Sequence, residues 1–176
     1  NKNLLYKKMN ILDVGTIEIE DYMSETYSAV RSWILPDLMD IFSSNKHVEF
    51  PQKIFEEGLV NVRKEEEILE YDRIAVASSH ENANYTEMRQ ILDYLLKCFG
   101  LSCDIEETEH NSFIDGRCGR AIVKGKKIAY LGEIHPAVLS NWNLEMPVAA
   151  MEINLTELFE IIEDKIYMMG DDSPWL

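Results

Sequence analysis

The chain has 176 residues, 46% apolar and 28% charged, a composition that builds one globular core and excludes a fibrous repeat or a disordered segment. Thirty-two acidic against seventeen basic side chains leave a formal charge of −15, which repels phosphate, so a broad nucleic-acid-binding face is excluded and any RNA contact has to be local. No run reaches the roughly eighteen apolar residues of a membrane span and no signal-type segment opens the chain. A first residue Asn1 leads us to expect a piece cut from a longer protein.

One domain is expected over residues 1–176, with 1–14 and 165–176 peripheral. Leu4, Leu5 and Met9 have helical spacing in a short, lysine-rich opening. After Gly15, Thr16 to Glu20 alternates apolar and acidic residues as a half-buried strand does. Ser24 and Glu25 offer helix-start chemistry leading into Tyr27, Val30, Arg31 and Ile34. Pro36 suits a first helical turn and not an interior, which predicts a break near Leu35 and a fresh helix to about Asn45, its apolar side Leu38, Met39, Ile41 and Phe42.

Pro51 restarts the chain as a strand over Gln52 to Val62, with an irregularity expected at Gly58. Arg63 to Glu70 is charged and reads as a solvated loop or hairpin tip, and Arg73 to Ser79 as an interior strand. Thr86 and Glu87 open the clearest helix: Met88, Ile91, Leu92, Leu95, Leu96 and Phe99 keep one face, and Gly100 supplies the stop. Leu101 to Glu107 alternates again. The extended runs Arg120 to Val123 and Lys127 to Gly132 flank Lys124-Gly125-Lys126, a tight hairpin. Pro136 to Trp142 reads as a short helix and Val148 to Ile153 as a strand; Thr156 is read as the cap of a last helix carrying Leu158, Phe159, Ile161 and Ile162, and Asp171-Asp172-Ser173-Pro174 as a boundary. Hairpins and short loops with one long helix between strands give an α+β domain, an antiparallel sheet with helices expected on one side.

Catalytic patterns are scarce. The chain has no G-x-x-x-x-G-K-[ST], no G-x-G-x-x-G and no G-x-S-x-G. Glu133 and His135 lie two apart and would share a strand face, but Pro136 follows directly and favours a structural histidine; His80 and Glu81 are merely adjacent. Cys98, Cys103 and Cys118 lack metal or redox spacing, and an odd set of thiols in an acidic chain points to a reducing compartment.

Several segments, in order, resemble a known family. They are Met23-Ser24-Glu25, Tyr27-Ser28 and Val30-Arg31 running into Ile34-Leu35-Pro36-Asp37-Leu38 and Asn45-Lys46-His47; Phe50-Pro51-Gln52-Lys53-Ile54-Phe55-Glu56 followed by Gly58; and Glu81-Asn82-Ala83-Asn84-Tyr85-Thr86 with Ile91-Leu92-Asp93. Phe113-Ile114 and Gly116-Arg117 follow, then Gly132-Glu133-Ile134-His135-Pro136-Ala137-Val138-Leu139, Trp142, Glu145-Met146-Pro147-Val148 and Glu152-Ile153. The set is similar to the carboxy-terminal core of phenylalanyl–tRNA synthetase β subunits of the archaeal and eukaryotic-like type, over residues 15–162. Tyr22 stands where a proline is usual, and Glu57 replaces an apolar residue before Gly58.

The resemblance implies a class II aminoacyl-tRNA synthetase-like antiparallel sheet flanked by helices. It also implies a catalytically silent copy of the aminoacylation domain, with no cofactor of its own. Phenylalanine, ATP and Mg²⁺ would belong to the holoenzyme through the α subunit, in a cytoplasmic assembly of two α and two β chains that charges tRNA. Editing and tRNA-anchoring modules are not in this chain. A working site of that class grips ATP phosphates with arginine forks; at the first expected place stands Ile54-Phe55-Glu56-Glu57, and no Gly-x-Gly-x-Arg equivalent lies between Gly132 and Ile153. Arg31, Pro36, Leu38, Met39, Phe42 and Pro51 are the implied α-subunit interface. Arg31 would pair with a carboxylate within or across it, and the same patch would let the isolated domain pair with itself. Gly116, Arg117, Gly132, Glu133, His135 and Pro136 would fix a strand-to-helix corner. Arg117 and Arg120 are left open between supporting a turn, reaching the partner and an internal salt bridge. Two rivals remain at this point: a free-standing paralogue that binds ATP and a small amino acid, and a non-catalytic adaptor.

Overall fold

A computed structural model describes residues 2–13, 16–18 and 29–169 of the chain. Six strands form a single antiparallel sheet: β1 (Gln52–Lys64), β2 (Glu67–Ser79), β3 (Asp104–Glu107), β4 (Phe113–Val123), β5 (Lys126–Ile134) and β6 (Val148–Asn154), in the order β1-β2-β6-β5-β4-β3. Four helices accompany it: α1 (Leu35–Ser44), α2 (Tyr85–Cys98), α3 (Pro136–Asn141) and α4 (Leu155–Met169), with a π-helical turn at Asn3–Lys7. This is an α+β architecture, as the hairpin-rich sequence implies. The expected Gly15 break, most of the Thr16–Glu20 strand, Tyr22, the Met23–Ser28 segment and the 171–174 boundary lie outside the described residues. Residues 29–34, expected to be helical, are not: Val30 donates to the Ile17 carbonyl at 2.9 Å and Glu18 bridges Ala29.

The helices cover both faces of the sheet, not one. Strand alternation explains why. On β6, Val148 and Ala150 join a core with α1, α3 and the N-terminal turn, while Ala149, Met151 and Ile153 join a second core with α2 and α4. On β2, Ala75 and Ala77 face the first core, and Ile74 and Val76 pack against the second. A central strand buried on both faces is therefore apolar from Val148 to Ile153 with one exception, Glu152. Leu5, Tyr6 and Met9 of the opening segment are buried in the first core, so residues 2–13 are built into the domain.

Arg63 to Glu70 is the exposed hairpin tip, the second of the two expected forms, with β1 and β2 paired through it and turning at Glu65-Glu66. Several local expectations need correction. Helix α2 is capped by Asn84, whose Oδ1 accepts the Glu87 N–H at 3.1 Å. Helix α4 is capped by Asn154, whose Oδ1 accepts the Glu157 N–H at 3.2 Å, while the Thr156 hydroxyl accepts the Asp72 N–H at 2.9 Å. Ile41, placed on the apolar face of α1, is 41% exposed. The β4–β5 hairpin turns at Lys124-Gly125, with φ 48° and 82°, the geometry of a two-residue loop of primed type.

Gly58 marks no irregularity, for the β1–β2 register runs unbroken through Gly58 opposite Arg73. Its missing side chain makes room for the Arg31 guanidinium, since an added Cβ would collide with Nη2. Gly132 is tighter: a Cβ there would come within 2.7 Å of the Arg117 carbonyl oxygen and 3.1 Å of the Cys118 Cα. Gly132→Ala therefore has to push one strand off another, and we expect a loss of about 2 kcal/mol and a Tm lower by about 4–8 °C in a thermal melt. Gly58→Ala displaces only a movable side chain and costs less in the same measurement.

Candidate functional site

The sheet register builds a row of side chains on the α1 face. Arg120 on β4 stands opposite Tyr130 on β5, Tyr130 opposite Glu152 on β6, and Glu152 opposite Ala75 on β2. Arg73, two residues before Ala75, reaches back so that its Nη1 donates to Glu152 Oε1 at 3.1 Å. The other carboxylate oxygen, Oε2, accepts the backbone N–H groups of Ile34 and Leu35 at 2.9 and 3.0 Å. These are the first amides of α1, so a carboxylate 7% exposed sits at the positive end of that helix and opposite a guanidinium. A charge this deep persists only when paired on every side.

Above the row lies a cavity of about 550 Å³. Residues Tyr6, Ile11 and Leu12 wall one side, and Trp33, His110, Phe113 and Tyr130 supply rings. The His110 ring centre lies 5.8, 5.3 and 5.2 Å from those of Trp33, Phe113 and Tyr130 respectively. Hydrogen bonds hold this wall: Trp33 Nε1 donates to the Leu5 carbonyl at 2.9 Å, and the buried Ser112 hydroxyl to the Met9 carbonyl at 2.6 Å. The Arg120 guanidinium carbon lies over Tyr130, 3.7 Å from the ring centre. Its Nη2 reaches the Lys127 carbonyl at 3.4 Å, its Nε is buried without a partner, and no ion pair among the described residues includes it. Burial, the largest influence, and the Arg73 charge pull the Arg120 pKa down. Burial and then the Arg120 charge likewise hold His110 below its ordinary value.

The sequence-predicted residues divide into three places. Pro36, Leu38, Met39 and Phe42 are buried in this chain's own core, where they cannot meet another protein, whereas Pro51 is exposed. Arg31 pairs inside the chain: its guanidinium bonds Asp37 at 3.1 Å, Glu56, and the Leu59 carbonyl at 3.1 Å. The corner residues do come together. Arg117 pairs with Glu133 at 2.6 Å, Glu133 also accepts the Tyr85 N–H at 3.1 Å, and His135 Nδ1 accepts the Ala137 N–H at 3.1 Å to cap α3, with Pro136 in its first turn. Gly116, φ +72°, lies in the β4 excursion between Phe113 and Cys118 that carries Arg117. Arg117 thus has an internal salt bridge and Arg120 does not. No group of three or more metal-ligating side chains occurs among the described residues. The three cysteines are free, and burial raises the Cys118 thiol to about 11. Nor is any described helix long and apolar enough to cross a membrane.

In the sequence Arg120 reads only as a turn, partner or salt-bridge residue and Glu152 only as part of a family segment; the further signal for Glu152 is a lone acid inside the apolar run Val148 to Ile153. Two outcomes follow. Glu152→Ala strands Arg73 and two helix amides, and urea denaturation should show a loss of about 3–5 kcal/mol; Glu152→Gln, which keeps an acceptor, loses less. His110 has a folded pKa below its unfolded one, so its neutral form contributes stability that is complete above about pH 6.5 and is lost as pH falls through the folded value. Denaturation at pH values from about 7 down to about 5 should show a shallower decline in His110→Gln than in the unsubstituted chain.

The comparisons with known proteins agree with one another. A family description, phenylalanyl tRNA synthetase beta chain CLM domain, matches residues 4–155. The phenylalanine–tRNA ligase beta subunit of Pyrococcus abyssi is 44% identical over 163 residues, 91% of this chain and 29% of the relative. That of Thermococcus onnurineus is 43% identical over 90% of this chain and 31% of the relative, and that of Methanocella arvoryzae 37% identical over 89% and 30%. The chain thus spans less than a third of the length of these curated relatives.

Proposed function

Because the chain belongs to the phenylalanyl-tRNA synthetase β-chain family, matching its CLM domain over residues 4–155, we propose that it is a catalytically silent, class II synthetase-like core that works by pairing with an α subunit. In that reading two α and two β chains form a cytoplasmic ligase, the α subunit binds phenylalanine, ATP and Mg²⁺, and tRNA is charged by the assembly. This domain is a structural member of it.

The residues over the sheet do not fit a triphosphate. Arg73 is already neutralised by Glu152 in the same cavity, so it is not free to hold a phosphate. Ile54 to Glu57, where an arginine would be needed, lies on the outermost strand, and Glu56 there is bound to Arg31. Among the described lining residues Arg120 is the guanidinium without an ion pair, with Lys127 beside it, and the arginine forks that grip a triphosphate are not assembled there.

The observation that carries the pairing is the bare end of the sheet. Among the described residues strand β1 has one neighbouring strand, and its burial alternates so that Lys53, Phe55, Glu57 and Leu59 are exposed on the face away from α1. Phe55 is 72% and Leu59 54% exposed, and Ile68, opposite Arg63 in the same hairpin, 56%. Large apolar side chains left together on a long edge strand are a surface made for covering. The interface is thus proposed on the outward residues of β1 and β2, next to Pro51, and not on the buried side of α1.

In the full protein, Phe55→Glu or Leu59→Glu should weaken association with the α subunit by about tenfold or more, with circular dichroism and Tm unchanged. Undiminished association of a Phe55→Glu, Leu59→Glu double variant would remove this interface.

A further inference from the structure

We propose that the α-subunit surface covering the outer edge of the sheet presents a cationic side chain, an arginine or a lysine, to Glu57, the open member of an acid pair with Asp72. The inference rests on the reading that the α subunit pairs at this edge, and it names the chemistry which that pairing requires.

Spacing makes the first part of the case. Phe55, Glu57 and Leu59 lie in turn on one face of β1, each about 7 Å from the next. A partner that covers Phe55 and Leu59 therefore takes Glu57, which stands between them, out of water as well. Across the β1–β2 ladder Glu57 is opposite Ile74 and Leu59 opposite Asp72, so the two acids are diagonal neighbours on that face. Hydrogen bonding with Asp72, and then the Asp72 charge, hold the Glu57 pKa above its ordinary value, which the Arg31 charge offsets only in part. Asp72 is half-buried, with Oδ1 closed off from solvent and without a donor, whereas Glu57 is exposed. Glu70, the next residue of β2 on the same face, is a further exposed acid.

Charge makes the second part. A carboxylate taken out of water persists only beside a counter-charge, and among the described residues none stands free next to Glu57. Arg31 is engaged by Asp37, Glu56 and the Leu59 carbonyl, and Arg73 by Glu152 on the other face of the sheet. Lys53, four residues before Glu57 on the same face, pairs with Glu87 at 2.6 Å, and Lys126 with Glu157 and Glu160 of α4. Arg63 lies six residues further along β1, about 20 Å away. A proton shared between the two acids removes one charge and leaves the other. The compensating cation therefore comes from the partner, and the apolar contacts at Phe55 and Leu59 exclude water around it and strengthen the attraction.

Association of the full protein with the α subunit, measured over a range of salt concentrations, tests this. Glu57→Gln keeps size and polarity; it should weaken association by about tenfold or more and flatten the salt dependence. Glu57→Lys should weaken association further, while the Tm of the full protein alone is unchanged or higher, because opposite charges then meet at Asp72. The proposal is overturned if Glu57→Gln associates as well as the unsubstituted protein or better, the outcome for an acid covered in its protonated form. It is equally overturned if Glu57→Lys associates no more weakly than Glu57→Gln. A dimer of the full protein alone that Glu57→Gln dissociates would make a second copy the occupant and overturn it too. The Phe55→Glu, Leu59→Glu double variant separates this proposal from the reading beneath it. Undiminished association of that variant removes the interface and the cation together; weakened association with Glu57→Gln unaffected removes the cation alone.

Discussion

Glu152 is an acid in the most deeply buried strand of the sheet, and a carboxylate cannot stay ionised there unless its oxygens are fully engaged. The amides of Ile34 and Leu35 and the guanidinium of Arg73 engage them, and much of the α1 side follows from that. Helix α1 must begin directly over the middle of β6, which lays Leu35, Leu38, Met39 and Phe42 onto the sheet and seals the first core. Trp33, one residue before the two bonded amides, is thereby fixed at the cavity wall, and its indole ties down the N-terminal turn through Leu5. Arg73 is paired with the same carboxylate at the cavity wall, whereas Arg120 has no ion pair among the described residues.

A second set of charges organises the outer edge. Arg31 precedes α1 and binds Asp37 in the first turn of that helix, Glu56 on β1 and the Leu59 carbonyl, filling the space that Gly58 leaves open. Asn61 in turn donates its N–H to the Arg31 carbonyl at 2.9 Å. The segment before α1 thus closes part of the β1 edge, on the face where Ile54 and Val60 pack inward, and the opposite face keeps Phe55 and Leu59 in the open. The exposed outer edge and the cavity lie at different parts of one sheet.

What could be read from the residues beforehand was whatever is encoded within about a dozen neighbours. The i, i+3, i+4 spacing from Met88 to Phe99 gave α2 its extent, and Lys124-Gly125 gave the hairpin its turn. Proline at the start of α1 and α3 marked both helices within a residue. The ordered segments from Met23 to Ile153 carried the family. Both helix caps lie two places before the threonines that the local pattern points to, because Asn84 and Asn154 compete with Thr86 and Thr156, and the tertiary partner of Thr156, the Asp72 amide, is 84 residues away. Helices on both faces were missed for a related reason: alternation reveals that a strand has two faces but not what covers each.

The sequence by itself determined the kind of protein this is: an antiparallel α+β domain of a recognisable family, too acidic for a broad nucleic-acid surface. Only the tertiary structure decided which polar residues matter. Arg120, Tyr130 and Glu152 are brought into one row by strand register, and Arg73 reaches Glu152 across 79 residues of chain. Register is the sum of packing on both faces of the sheet, and no local pattern records it.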